Sequence, residues 1–238
     1  MNKMIDLHNH ILPMVDDGSR DIDEAIESIK YLKSRGITDI VLTSHYIVDT
    51  SYCKTVSERE KILDELNKKI DNDTNLYLGN EVYAADYKTL LSLLKENKIT
   101  TLNKSKYLLI EFPMNQVLNQ VDLLLCELNA NGIIPIIAHP ERYSIYKKHP
   151  EKIYELLEYN CLLQCNLGSI SGQYGKQAKK CVKWLLKHDL VFALATDYHH
   201  IGKKDYISKA FKKLKWVISK NKIEELTYIN PKKVLDNK

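Results

Sequence analysis

Two histidines one residue apart, His8 and His10, follow the short apolar run Met4–Leu7. Side chains at i and i+2 of an extended chain point the same way, so both imidazoles can serve one cation. H-x-H is a weak signal alone. It gains weight from the ends of the later apolar runs, which carry His45, Glu81, Glu111, His139, Asp197 and His199, with Asp17 in the loop after the first run. Five of the eight histidines fall in this set, while His149, His188 and His200 stand outside it. Any one of these residues reads as an ordinary cap, turn or surface histidine. Nine at or just after successive strand ends read as a metal site. Nitrogen and carboxylate donors without thiolate suit Mn, Fe or Zn over Ca or Mg.

Cysteine chemistry is the competing signal. Cys53 and Arg59 have the C-x5-R spacing of cysteine-dependent phosphatases. That machinery needs backbone amides wrapped around phosphate, usually with glycine, between a strand and a helix N-terminus. No glycine lies between Cys53 and Arg59, and no apolar strand precedes Cys53, so the pattern reads as chance. The other thiols, Cys126, Cys161, Cys165 and Cys181, bring the count to an odd five with no C-x-x-C pair. Reduced thiols in a cytoplasmic protein are the expectation.

The elements that must position the nine residues alternate strand with helix. Strands are expected at Met4–Leu7, Asp39–Thr43, Leu76–Gly79, Tyr107–Ile110, Ile133–Ala138, Leu162–Gln164 and Val191–Ala195. Helices are expected at Asp21–Ser34, Ser57–Ile70, Asp86–Glu96, Asn119–Asn131, Pro150–Tyr159, Tyr174–His188 and Ser208–Ser219, with a short terminal one. Asp21 with Glu24, and Ser57 with Glu60, have capping-box spacing. Most strands are near-continuously apolar, as parallel strands covered on both faces are. About seven βα units in 238 residues, with no linker, predict an α/β chain folded as a single barrel domain over 1–238. In such a barrel the C-terminal strand ends converge on one face.

Composition sets outer bounds. Hydrophobic residues are 44% and charged residues 28%, so the chain is neither disordered nor fibrous. No apolar run approaches the ~20 residues that span a membrane, and Asp6 and His8 arrive too early for a secretory signal. A net charge of +4 does not demand nucleic acid. The charge is uneven, however: from His200 onward 11 lysines and no arginine face 4 acids. This end reads as a solvated helix face, with a docking surface for an acidic partner or phosphorylated tail as the sharper alternative.

The segments IDLHNHILPMVDDG, LNKSKYLLIEFP, IIPIIAHPERY and LGSISGQYGKQ carry a resemblance that runs almost end to end. The chain resembles the PHP (polymerase and histidinol phosphatase) superfamily, and within it the bacterial tyrosine phosphatases of capsule and exopolysaccharide biosynthesis. The resemblance implies a distorted (β/α)7 TIM-like barrel with a trinuclear metal centre, leaning to manganese. By position it implies His8, His10, Glu81 and Asp197 at the first ion, Glu81, Glu111 and His139 at the second, and Asp17, His45 and His199 at the third. It also implies a substrate, phosphotyrosine on the tail of a bacterial tyrosine kinase.

Clustered cations would neutralise a phosphate monoester and lower a bound water's pKa from about 15.7 to about 7, and the resulting hydroxide would attack phosphorus in line. His199, His45 or a metal-bound water could protonate the leaving phenolate. Arg142 is the candidate phosphate clamp, because a guanidinium can bind two phosphate oxygens; a salt bridge with Glu141 or a neighbour is its other reading. Lys203 or Lys204 stands where the family carries a second arginine. Tyr46, Ile47, Phe112, Pro113 and Met114 are expected to wall the site for an aromatic ester. The alternatives are another PHP phosphoesterase, such as one acting on histidinol phosphate, and a non-catalytic binding module.

Overall fold

In the computed structural model, residues 3–84, 87–115, 120–200 and 205–237 are described. The strands are β1 (Met4–Asp6), β2 (Ile37–Leu42), β3 (His45–Tyr46), β4 (Asn75–Leu78), β5 (Glu81–Tyr83), β6 (Tyr107–Glu111), β7 (Ile134–Ala138), β8 (Leu162–Asn166) and β9 (Ala193–Ala195). The helices are α1 (Ile22–Lys33), α2 (Val56–Asn67), α3 (Tyr87–Lys95), α4 (Val121–Ala130), α5 (Ser144–Lys148), α6 (Ile153–Leu157), α7 (Leu167–Ser171), α8 (Gly175–Lys187), α9 (Tyr206–Leu214), α10 (Lys220–Glu224) and α11 (Asn230–Leu235). All strand pairs are parallel, in two sheets ordered β1-β2-β4 and β3-β5-β6-β7-β8-β9.

Two expected strands are each followed by a short strand that was not expected. β2 and β4 give way to β3 and β5, which pair in the second sheet. The chain steps across at Thr43-Ser44 and at Gly79-Asn80. There Gly79 N–H donates to Leu42 O (3.0 Å) and Glu81 N–H to Thr43 O (3.1 Å). A Cβ on Gly79 would stand 2.7 Å from Leu102 Cδ2 and 3.1 Å from Thr43 and Val41, so any larger residue there would displace its packed neighbours. At the other border Asn9 and Tyr198 form a parallel bridge. Asp197 N–H donates to His8 O (2.8 Å) and His10 N–H to Tyr198 O (2.7 Å).

Alternate strand residues enter two different cores. Ile5, Leu7, Val41, Tyr107, Leu109, Ile136, Ala138 and Ala193 pack together with Leu102 and Val234. Their sequence neighbours Met4, Ile40, Leu108, Ile137 and Leu194 pack in a larger cluster with residues of α1, α4, α8 and α9. Both faces are therefore buried, which is why the strands carry no polar alternation.

Several local expectations shift. The α2 capping box is Thr55 with Glu58, not Ser57 with Glu60: Thr55 is extended (φ −66°, ψ 165°) and both reciprocal bonds form there. Ser57 already lies inside the helix. Asp21 caps α1 as its spacing indicates. Ser219 does not end a helix over Ser208–Ser219; it is the N-cap of α10, and α9 stops at Leu214. The segment expected to form one helix over Pro150–Tyr159 begins with a 3-10 turn and becomes α6. Helices α5 and α7 have no counterpart in the sequence reading. All five residues of α7 are buried, so packing holds a Gly- and Ser-rich turn that propensity would not.

Candidate metal centre

All nine candidate residues meet at one end of the strands, in overlapping groups whose donor atoms lie within 4.8 Å of one another. Glu81 is the centre. Its Oε2 lies 3.1 Å from His8 Nε2, 3.3 Å from His10 Nε2 and 3.1 Å from His45 Nδ1, and its Oε1 lies 3.0 Å from His139 Nε2. Asp197 Oδ1 stands 3.5 Å from both His8 Nε2 and His10 Nε2. Glu111 approaches His139 (3.5 Å) and His45 (3.7 Å). Asp17 Oδ1 approaches His199 Nε2 (3.6 Å) and His45 Nε2 (3.8 Å). His10 stacks on His199 with ring centroids 4.0 Å apart and joins this outer group as well.

The proton positions of the donor set bear on whether it suits a cation. His8 Nδ1 lies 2.7 Å from Gln164 Oε1, and His10 Nδ1 lies 2.7 Å from Asp16 Oδ2. Those acceptors place a proton on each Nδ1 and leave each Nε2 a bare lone pair. Yet the two Nε2 atoms sit 3.2 Å apart and face the oxygens of Glu81 and Asp197. Glu81 Oε2 and His45 Nδ1 are buried without a hydrogen bond. Imidazole lone pairs converging on carboxylate oxygens fit a cation.

Without a cation these groups shift in different directions, two toward holding a proton and one toward losing it. Burial opposes an imidazolium at His8, yet Glu81 and Asp197 raise its pKa to about 9. Burial and the neighbouring Glu81 push Glu111 up to about 8. Burial and His10 pull His199 down to about 4.

A second layer fixes these side chains. Asp16 Oδ2 also accepts from His45 N–H (2.8 Å), so one carboxylate orients two of the nine. Gln164 Nε2 donates to Asn166 Oδ1 (2.8 Å), and Asn166 Nδ2 donates to Asp197 Oδ2 (2.6 Å). Asp6 accepts from Thr196 N–H (2.9 Å) and Thr196 Oγ1 (2.6 Å), holding the end of β9, and burial raises its pKa to about 6. His139 (φ 34°) and Asp197 (φ 52°) adopt left-handed backbone, uncommon away from glycine and typical of functional sites. Sequence reasoning missed Asp6, Asp16, Gln164 and Asn166. The available signal for Asp6, Gln164 and Asn166 was a polar residue inside an otherwise apolar strand; Asp16 lies in the loop after β1.

Arg142 pairs with Asp197, not with Glu141. Its Nη1 donates to Asp197 Oδ2 (2.7 Å), and its guanidinium lies over the Tyr174 ring at 4.3 Å. Glu141 instead accepts from Asn166 N–H (2.9 Å) and Ser169 Oγ (2.6 Å). Arg142 and Tyr174 line a cleft of about 280 Å3 with Met114, Asn115, Ala178 and Lys147, a cation the sequence reading did not single out. Lys203 and Lys204 lie outside the described residues. Of the expected apolar walls, Tyr46, Phe112 and Pro113 are buried, and only Ile47 and Met114 are partly exposed. Tyr52 stacks beyond His45, with centroids 6.2 Å apart.

The C-x5-R pair is not a phosphate loop. Cys53 is exposed, whereas Arg59 is wholly buried and donates to Gly79 O (2.6 Å) and Asn80 Oδ1 (2.6 Å). Burial lowers its pKa to about 10. Arg59 therefore braces the turn that presents Glu81.

Comparison with known proteins places this arrangement. A family model described as capsular polysaccharide synthesis, CpsB/CapC, matches residues 4–236. The tyrosine-protein phosphatase YwqE of Bacillus subtilis is 33% identical over 229 residues, 95% of this chain and 88% of its own. The tyrosine-protein phosphatase CpsB of Streptococcus pneumoniae is 31% identical over 241 residues, 98% of each chain. A crystal structure from a study of those two proteins, described as unique metal-dependent tyrosine phosphatases, superposes with a TM-score of 0.87 at 30% identity, over 99% of this chain and 95% of the other. Histidinol phosphate phosphatase of Lactococcus lactis shares the fold, with a TM-score of 0.57 at 15% identity over 91% of this chain and 94% of its own. Matched from residue 4 to 236 and superposed over nearly its whole length, the chain belongs to the CpsB/CapC family of capsular polysaccharide synthesis.

Proposed function

We propose that this chain is a metal-dependent protein-tyrosine phosphatase acting on the phosphotyrosine tail of a bacterial tyrosine kinase that governs capsular or exopolysaccharide synthesis. The observation that carries it is Glu81, with imidazole nitrogens of His8, His10, His45 and His139 all 3.0–3.3 Å from its oxygens. The family's tyrosine phosphatases supply the reaction class.

His8, His10, Glu81 and Asp197 would hold one divalent ion, Glu81, Glu111 and His139 a second, and Asp17, His45 and His199 a third, with manganese the proposed metal. Bound there, such ions supply positive charge against a phosphate dianion and a water of lowered pKa. The outer group is the more open: Asp17 is 50% and His199 28% exposed, against 0% for His8 and His10. The seven βα units are read as one distorted barrel over 1–238, supported by the bonds that tie the segment after β1 to the segment after β9, and Thr43, just after β2, to Glu81 of β5.

The chain's own groups do the rest. Asp197 and the Tyr174 ring fix the plane of Arg142, which directs its remaining N–H groups at the dianion, with Lys147 in the same cleft. Phenolate, pKa about 10, leaves without a strong acid, so a water of the site could supply the proton where His199 and His45 are taken up as ligands. The five unpaired thiols support a cytoplasmic location. Assays with added manganese should show a phosphotyrosine peptide cleaved faster than a phosphoserine peptide or histidinol phosphate. Equal rates on the two peptides, or preference for histidinol phosphate, would replace tyrosine specificity with a general or small-molecule phosphoesterase.

A further inference from the structure

Helix α9 buries Ile207, Ala210 and Leu214 and turns Lys209, Lys212 and Lys213 the other way. Trp216 follows at the same helical spacing, in the turn that ends the helix, where its N–H donates to Lys213 O (3.1 Å). Its indole is 91% exposed, more than any other large apolar side chain among the described residues. Lys213 Nζ donates to Ser171 O (2.6 Å), at the end of α7. There Lys179 and Lys183 join Lys209 around it, and burial together with this crowding lowers its pKa. Among the described residues no ion pair engages Lys179, Lys183, Lys209, Lys212 or Lys213.

A row of uncompensated ammonium groups repels itself and is stabilised only by anions from outside. The choice of cation says which kind. Phosphopeptides and carboxylates are gripped by arginine forks, and from His200 onward there is no arginine. Lysines are point charges, suited to a diffuse negative surface. A tryptophan standing clear of the fold, apolar in body with one N–H, matches the headgroup region of a bilayer. We propose that this face, Lys209, Lys212, Lys213 and Trp216 with Lys179 and Lys183 beside them, docks on an anionic lipid surface. The docking is peripheral, since no described helix is long and apolar enough to cross a membrane. It is independent of the chemistry assigned to the metal centre.

The test is sedimentation of the full chain with vesicles of phosphatidylcholine alone and of phosphatidylcholine with one-third phosphatidylglycerol, at low and high salt. Binding to the anionic vesicles only, weakened by salt, is expected. Lys209→Ala with Lys212→Ala should weaken it by roughly tenfold or more. Trp216→Ala should weaken it too and abolish the blue shift of tryptophan emission, because the other indole, Trp184, is packed on His188 at 3.8 Å. Both variants should hydrolyse a soluble phosphotyrosine peptide at the unaltered rate, which shows that they fold. No binding by the unaltered chain, equal binding to neutral vesicles, or variants that bind unchanged would overturn the proposal. Binding of a poly-glutamate peptide in place of vesicles would also overturn it and give the face to an acidic polypeptide.

Discussion

At the residue scale, the nine ligand candidates were legible because histidines and carboxylates are conspicuous where they interrupt apolar runs. Gln164, Asn166, Asp6 and Asp16 were not, because each works through a partner that only the fold supplies. Arg59 shows the limit most clearly: its spacing from Cys53 evokes cysteine chemistry, while its position makes it a brace for Gly79 and Asn80. Arg59→Ala should lower stability by about 3 kcal/mol, the cost of two lost charged hydrogen bonds and a cavity, read by urea unfolding of metal-free protein. It should also lower bound metal per chain, because the turn before Glu81 loosens; full metal content would reduce Arg59 to a packing residue. The central place of Glu81 makes a second prediction. Glu81→Ala should lose more metal than His45→Ala, as metal analysis of the two proteins would show, whereas small and equal losses would contradict the assigned sites.

At the element scale, helix and strand order followed from apolar periodicity, and parallel strands betrayed themselves by being apolar on both faces. The short strands β3 and β5 did not, because the pairs Thr43-Ser44 and Gly79-Asn80 end each apolar run before the chain steps to the second sheet. Helix α7 stayed hidden because its residues favour other conformations and burial overrides them. The capping box at α2 was displaced by two residues, since S/T-x-x-E occurs twice in Thr55-Val-Ser-Glu58-Arg-Glu60. The two readings separate by mutation. Thr55→Ala should cost about 1 kcal/mol, by loss of the cap, and the exposed Ser57→Ala less than about 0.5 kcal/mol, in thermal or urea unfolding. The reverse order would restore the Ser57 box.

At the scale of the whole molecule, one end of the strands gathers the chemistry while α8 and α9 gather the lysines. The strand-end rule for barrels let the first be read from sequence. The lysine-rich end was visible only as composition, because Trp216's exposure and the approach of Lys213 to Ser171 of α7 depend on how the helices pack. The central claim is that metal, not thiol, performs the hydrolysis. Its most direct test is the rate of phosphotyrosine-peptide cleavage by the purified chain after metal removal and, separately, after exhaustive thiol alkylation. Loss of activity on chelation, recovery with added manganese and full activity after alkylation are the predicted results; a chelated protein as active as the untreated one, together with an inactive Cys53→Ser, would contradict it.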